Sequence, residues 1–500
     1  MTMQNGFETA SFEPKRDEDD APSLDAGPIA LIKVGAASLM DKARNASLGS
    51  LLWPWTSSPA RPERLRPTAY LDGLRGFAAF LVYWHHHELW AHPPPLTQVF
   101  ETSFGYDGRH YFAALPFIRI FFHGGHFAVA VFFVISGYVL SAKSLSLIHA
   151  GEQAKLADNL ASALFRRWLR LFIPVIITTF VYMTVVHSFG MYIELLEKKP
   201  HYFRAVWDWF CELKNFSFIF HNDKKGYFIY NFHLWSIPVE FKGSIVVYTS
   251  LLAFSRAPRN ARLWCQAFLV FYFLYIVDGW YCALFVSGML LNDLDQLAAK
   301  NQLPAWFDRF RPYQQSIIYT MLGVAFWLGG CPANGHDSKD LRKNPGWWLL
   351  SYLKPQAVWD VKWFFLYIAA VLFVTATPRV PWLKRFFETR FCQYLGRISF
   401  SLYLVHGPVL WTLGDRVYAA VGWPKETRLV QLGHWWNKFP LPKTGPMGLE
   451  IAFLLPHLVL LPVTLYLAEM VTRHVDEPSL RFPQWLYKAV TTPRPGRLPA

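Results

Sequence analysis

Apolar residues gather along this chain into long runs rather than alternating with polar ones. The runs fall near residues 73–91, 126–148, 169–190, 236–254, 264–291, 315–330, 361–377, 398–420 and 449–470. A helix rising about 1.5 Å per residue needs about 20 apolar residues to cross a hydrocarbon core about 30 Å thick, so these runs predict membrane-spanning helices. One globular core would not need so many. Basic residues cluster between the runs at Arg166, Arg167 and Arg170, at Arg256, Arg259 and Arg262, at Arg379, Lys384, Arg385 and Arg390, and at Arg473 and Arg481. Such clusters are expected to face the cytosol.

That expectation makes parity a test. Between Arg262 and Arg379 the chain must cross an even number of times, yet three runs lie there. The run at 264–291 is longer than one span needs and is interrupted by Asp278 and Gly279, so two short spans or a re-entrant pair restore parity. The expected fold is all-α, a polytopic membrane bundle of about ten transmembrane helices over residues 69–482, with both termini cytosolic.

Residues 1–68 are polar and of mixed charge and lack the basic start and apolar core of a signal peptide, so they are expected to form a disordered cytosolic arm. Within it, Ile29 to Met40 is mildly apolar and suits a membrane surface. Residues 483–500 form a short basic cytosolic tail. The largest loop opposite the cytosol, about 191–235, contains the sequon Asn215-Phe216-Ser217, which can be glycosylated or unused.

Composition agrees with a membrane protein. The chain is 53% hydrophobic and 17% charged, against about 25% charged in soluble proteins. Its 22 Trp and 23 Tyr suit the two bilayer interfaces. A net charge of +14 would fit nucleic acid, but the cations sit in short clusters between apolar runs, so no nucleic-acid partner is expected. The five Cys, at 211, 265, 282, 331 and 392, have no C-x-x-C spacing and imply neither a disulfide framework nor a zinc site.

The most informative stretch joins Leu71-Asp72-Gly73-Leu74-Arg75-Gly76 to His85-His86-His87. In a helix Arg75 and His86 stand within about 20° of the same face and about 16 Å apart along the axis. Ionisable groups there belong against a protein interior or a wet cavity, because lipid penalises them by about 2.5–3.5 kcal/mol. With a reference pKa near 6.5, a histidine can accept a hydroxyl proton at neutral pH, which makes His86 a candidate general base. Arg75 then orients an anion or a carboxylate; its plainer role is a positive-inside anchor. Three consecutive histidines cannot ligate one metal from one helix, because successive side chains diverge by about 100°, and no metal is expected.

Other polar residues recur at the ends of the runs. Ser136 follows Phe132-Phe133 where small residues favour close helix packing, and it can donate a hydrogen bond in the membrane. Arg167 and Arg170, one turn apart, fit either the positive-inside rule or the phosphates of a cytosolic donor. Glu240, just inside the run that follows His233-Leu234-Trp235-Ser236, needs a partner, and Arg75 or a histidine is the expected one. His406 lies deep in its run, as a second cavity residue or a packing histidine.

In one order along residues 66–482, these motifs resemble membrane acyltransferase family 3, especially its fungal members. The resemblance rests on Arg75 with His86, Phe132-Phe133-x-x-Ser136-Gly137, Arg167-x-x-Arg170, Trp235-Ser236 ahead of Glu240, and Gly396-Arg397-Ile398-Ser399 ahead of His406. It implies a membrane domain of about ten helices that moves an acyl group, often acetyl, from acyl-coenzyme A to a hydroxyl. It also implies that His86 is catalytic, that Arg75 supports it, and that Arg167 and Arg170 lie where the donor binds. His85 and His87 flank the assignment, since a shift of one residue along the helix would select either.

Acyl-CoA is thus expected as co-substrate, with no tightly bound cofactor. The acceptor is expected to be a hydroxyl-bearing small lipophilic metabolite such as a terpenoid or polyketide, with a carbohydrate as the alternative. The bilayer is the expected surrounding, in the endoplasmic reticulum or another endomembrane. A transporter would also show many spans and mid-membrane His and Glu, though the chain has no paired halves.

Overall fold

The computed structural model describes residues 65–220 and 227–492. The described residues up to Pro483 belong to one compact unit; those beyond it are the end of the helix Glu477–Thr491. The expected arm at 1–68, including Ile29 to Met40, lies almost wholly outside the described residues.

Described residues form helices and turns, with no strand among them. The main helices of the compact unit are α1 (Ala69–Ala91), α2 (Gly125–Ala150), α3 (Gln153–Ser188), α4 (Tyr202–Ser217), α5 (Ser236–Phe254), α6 (Arg259–Phe271), α7 (Trp280–Ala299), α8 (Gln314–Gly329), α9 (Val361–Ala376), α10 (Arg390–Val409) and α11 (His457–Val471). Local chemistry sets several ends. Thr389 caps α10 by accepting the Cys392 N–H, and Asp360 caps α9 by accepting the Lys362 N–H. Gly151 closes α2 at φ 74°, a left-handed turn that glycine adopts without strain.

Five helical stretches are long and apolar enough to cross a membrane: Gly125–Ala150, Gln153–Ser188, Ile229–Phe254, Val361–Arg379 and Ile451–Thr491. The other runs counted toward about ten spans are helical as well, but less apolar or shorter. α1 carries Asp72, Arg75 and Glu88, and α8 has 16 residues.

The run at 264–291 is two helices. α6 ends in a wide turn at Tyr272–Ile276, Val277 is extended, and α7 starts after Gly279. Arg262, near the start of α6, grips Asp293, near the end of α7, with Nε–Oδ2 at 2.7 Å and Nη2–Oδ1 at 2.9 Å. The two helices are therefore antiparallel, and the chain turns back at Asp278.

The segment at 191–235 holds another reversal. α4 runs back along α3: Tyr202 meets Thr184, Trp209 meets Thr179, Phe216 meets Phe172, and Trp168 reaches the Ser217 carbonyl. Asn215, in the last turn of α4, thus lies level with the middle of α3, where Trp168 and Phe172 neighbour Arg167 and Arg170. The segment expected as the largest loop opposite the cytosol is therefore helical over Tyr202–Ser217 rather than loop throughout. Its apolar side chains pack down α3, which sequence spacing alone did not show.

Two pairs of helices touch backbone to backbone. α1 and α10 run parallel, and a Cβ on Gly76 would stand 2.1 Å from the Gly396 nitrogen. α2 crosses α7 where a Cβ on Gly137 would meet the Phe285 carbonyl oxygen at 1.9 Å. Gly76→Ala is therefore expected to cost about 1–3 kcal/mol or more, because backbone cannot move aside as a flexible side chain can. Thermal melting of purified protein checks this against Gly323→Ala, where nothing stands within 4 Å of the added atom.

Candidate active site

One helix turn sends the three consecutive histidines of α1 to different neighbours. His85 faces His123 and His126, at ring separations of 4.6 and 5.4 Å. His87 binds the Tyr418 hydroxyl at 2.7 Å through Nδ1 and lies 5.0 Å from the His457 ring. His86 points at α10, where its Nδ1 is 3.0 Å from the His406 Nε2.

The next bond in that chain decides who donates. His406 Nδ1 lies 3.2 Å from the Leu402 carbonyl, which can only accept, so this nitrogen carries the proton. Neutral His406 then presents a bare Nε2, and His86 must donate its Nδ1–H to it. The remaining nitrogen of His86, Nε2, keeps its lone pair on a half-buried ring. A histidine held this way is arranged as a base.

His233 completes the group. Its ring stacks on His86 at 3.6 Å and 14° and lies 4.8 Å from His406 at 4°. The short 3-10 stretch Ile229–Trp235 that carries it is pinned to α10. Tyr403 Oη donates to the His233 carbonyl, Ser236 Oγ is 2.8 Å from Tyr403 Oη, and Asn231 Nδ2 donates to the Leu404 carbonyl at 3.0 Å. Gly407 leaves the room, since a Cβ there would stand 2.8 Å from His233 Nδ1.

The nitrogens of His86, His233 and His406 lie within 4.8 Å of one another, a spacing one metal ion could use. Their rings are nearly parallel, however, and lone pairs of stacked rings run side by side instead of converging. An ion would require the rings to turn. The expectation of no metal rested on the consecutive histidines, which do diverge; the trio that meets comes from three separate elements.

Beside this group lies a cavity of about 220 Å³. Arg75, Arg167, Arg170 and Arg397 line it, with Glu240 and Asp476 as the acids. Its apolar wall includes Val129, Phe132 and Ile237, and its polar wall Ser136, Ser236, Ser399 and Tyr403. The Tyr403 ring is 5.7 Å from the His406 ring, which brings the cavity up to the histidines. His86 itself is not on the cavity wall.

Most of the cations are already engaged. Arg167 donates to Ser244 Oγ at 2.7 Å and forms an ion pair with Glu240. Arg397 pairs with Glu469, and Arg75 Nη2 donates to the Gly396 carbonyl at 3.1 Å. Arg170 makes no side-chain hydrogen bond or ion pair among the described residues.

Two expected relationships are corrected. Glu240 pairs with Arg167, the nearer cation across α3 and α5, and not with Arg75 or a histidine. Arg75 and His86 do share the α1 face that meets α10, but about 16 Å of helix separates them, so Arg75 belongs to the charged end of the cavity and does not touch His86. Ser136, Arg167 and Arg170 lie together on the cavity wall as expected. His233, Tyr403, Arg397 and Asp476 had not been singled out. His233 and Arg397 stand inside quoted motifs, but no periodicity reveals which side chains meet across the bundle.

The family model described as "Acyltransferase domain" matches residues 68–466. The chain belongs to acyltransferase family 3. It is 31% identical to an O-acetyltransferase of Phomopsis amygdali, over 89% of this chain and 90% of that protein. It is 24% identical to an acyltransferase of Cochliobolus lunatus (85% and 96% covered) and 25% identical to one of a Phoma species (72% and 86%). No solved structure matches it.

Proposed function

We propose that this acyltransferase moves an acyl group, acetyl in the first instance, from acyl-CoA to a hydroxyl of a small lipophilic metabolite. The observation that carries the reading is the bond series from the Leu402 carbonyl through His406 to His86, which leaves His86 Nε2 free to accept a proton next to an arginine-lined cavity. The donor's phosphates lie at the arginine end, taken by Arg170, which has no hydrogen-bonded side-chain partner, with Arg75 beside it and Asp476 the acid that shares that end. The thioester reaches toward Tyr403 along the apolar wall. On the positive-inside rule that arginine end faces the cytosol, where acyl-CoA is supplied.

His86 Nε2 removes the acceptor's hydroxyl proton as the oxygen attacks the thioester carbonyl. The carbonyl π pair moves to oxygen, and the hydroxyl of Ser136 is the donor on the wall available to that oxyanion, since Ser236 gives its proton to Tyr403 Oη. The pair then returns, the carbon–sulfur bond breaks, and the departing thiolate takes the proton from His86. The product is an ester and free CoA. A lipophilic acceptor is favoured by the membrane setting and by the likeness to fungal acyltransferases. The ten-span topology, with both termini cytosolic in an endomembrane, belongs to the same proposal.

The test uses membranes carrying the full chain, labelled acetyl-CoA, and a panel of lipophilic alcohols and sugars. Label moving to a lipophilic alcohol supports the reading; label on sugars alone overturns the acceptor class. Accumulation of a solute by vesicles with no transfer to any alcohol or sugar would favour transport. For the donor, Arg170→Gln is expected to raise KM for acyl-CoA about tenfold or more with kcat little changed, the loss of a charge-assisted bond. Steady-state kinetics at varied acyl-CoA checks it.

A further inference from the structure

A larger cavity, of about 640 Å³, opens between the end of α2, the turn joining α5 to α6, and the residues after α7. Its wall carries His149, Arg256, Arg259 and Arg262 and no acidic residue. Asp293, the acid beneath it, is fully buried and saturated. It receives two bonds from Arg262 and one from Gln266 at 2.8 Å, and His149 Nε2 lies 2.8 Å from its Oδ1. Arg262 is thereby neutralised, while Arg256 and Arg259 stand exposed above it. Arg259 donates to the Gln302 carbonyl at 2.9 Å and to Asn260 Oδ1 at 3.0 Å, neutral acceptors that leave its charge uncancelled. Arg256 has no side-chain partner among the described residues.

His149 supplies an independent sign. Its side chain is 5% exposed, and its Nδ1 is buried with no partner. Its Nε2 stands 2.8 Å from Asp293 Oδ1 and 2.9 Å from Arg262 Nη2, so Nδ1 either is bare and can accept from the P–OH of a monoprotonated phosphate monoester or carries the proton and can donate to a phosphate oxygen. Two arginine forks above and a histidine nitrogen below match a phosphate better than a carboxylate, which has fewer oxygens to share among them.

The position indicates the source. α5 belongs to a stretch apolar enough to cross a membrane and ends at Phe254, immediately before the cavity wall at Ser255–Ala257. The cavity therefore sits where a span leaves the hydrocarbon. Leu252, Trp264 and Phe268, on the helices flanking that turn, are 61%, 73% and 69% exposed and suited to acyl chains. We propose that this cavity is a second, non-catalytic site that binds the phosphomonoester of an anionic lipid headgroup. The inference does not rest on the acyl-transfer reading.

Native mass spectrometry of the full chain in detergent tests it, with phosphatidic acid, phosphatidylcholine and glycerol 3-phosphate as probes. Wild type is expected to retain phosphatidic acid over phosphatidylcholine, and Arg256→Gln with Arg259→Gln to lose that retention about tenfold or more, at an unchanged melting temperature. Equal retention by the double variant, or equal retention of phosphatidylcholine, would overturn the site. Displacement of phosphatidic acid by equimolar glycerol 3-phosphate would keep the phosphate site and overturn the lipid as its occupant.

Discussion

His86→Ala is expected to lower acyl transfer by about 10²–10⁴-fold, the usual contribution of a positioned general base. The loss should fall on kcat, because His86 lies off the wall of the cavity that takes the donor, and KM for acyl-CoA should change little. Stability should change modestly, since His86 is half-buried and shares one hydrogen bond, with His406. Kinetics and thermal melting of the same purified sample separate the two effects. His85→Ala and His87→Ala provide the contrast. His85 faces His123 and His126, and His87 faces Tyr418 and His457, so neither can replace His86 from its own side of α1. Transfer that survives in His86→Ala and vanishes in either neighbour would move the base by one residue.

The second large effect is expected at His406, which acts through His86. Removing the acceptor at His406 Nε2 leaves His86 free to rotate or to place its proton on Nε2, the nitrogen that must be bare. His406→Leu is therefore expected to lower kcat by about 10²-fold with KM for acyl-CoA nearly unchanged; a wrong histidine tautomer has cost more than this in the serine-protease triad. His406→Gln can set its amide oxygen close to the lost Nε2 and is expected to restore much of the rate. Equal losses in the two variants would show that His406 merely fills space. The pH profile gives a further readout, since only a change at the base moves the limb on which activity rises with pH.

Much of the fold was legible before any coordinates. Every apolar run became helical because lipid and a buried core both require backbone groups to bond within the segment, and run length reports that directly. The break at Asp278-Gly279 was legible for the same reason: a charge and a glycine weaken a span, and the antiparallel pair sealed by Arg262 and Asp293 follows. The count of spans was less secure. α1 has the length to cross a membrane, but where its charges go is a tertiary matter: Arg75 meets the Gly396 carbonyl of α10 and Asp72, while Glu88 is buried against His92.

The candidate site divides in the same way. Arg75 and His86 share a face at 100° per residue, and both do meet α10. Their common face did not make them neighbours, because 11 residues of helix keep them about 16 Å apart. Glu240 needed a partner, and burial made that readable; which cation it chose depended on where α3 and α5 touch.

By itself the sequence determined a helical membrane protein, its apolar segments, the motifs of acyltransferase family 3 and a short set of polar residues that lipid would not tolerate. These follow from composition and spacing, which act within one segment. The tertiary structure alone decided that His86, His233 and His406 stack from three separate elements, that one carbonyl sets the tautomer of two rings, and that Arg167 rather than Arg75 takes Glu240. Such relations depend on the register between helices far apart in the chain, fixed by close contacts such as Gly76 on Gly396, and no periodicity within a segment carries that information.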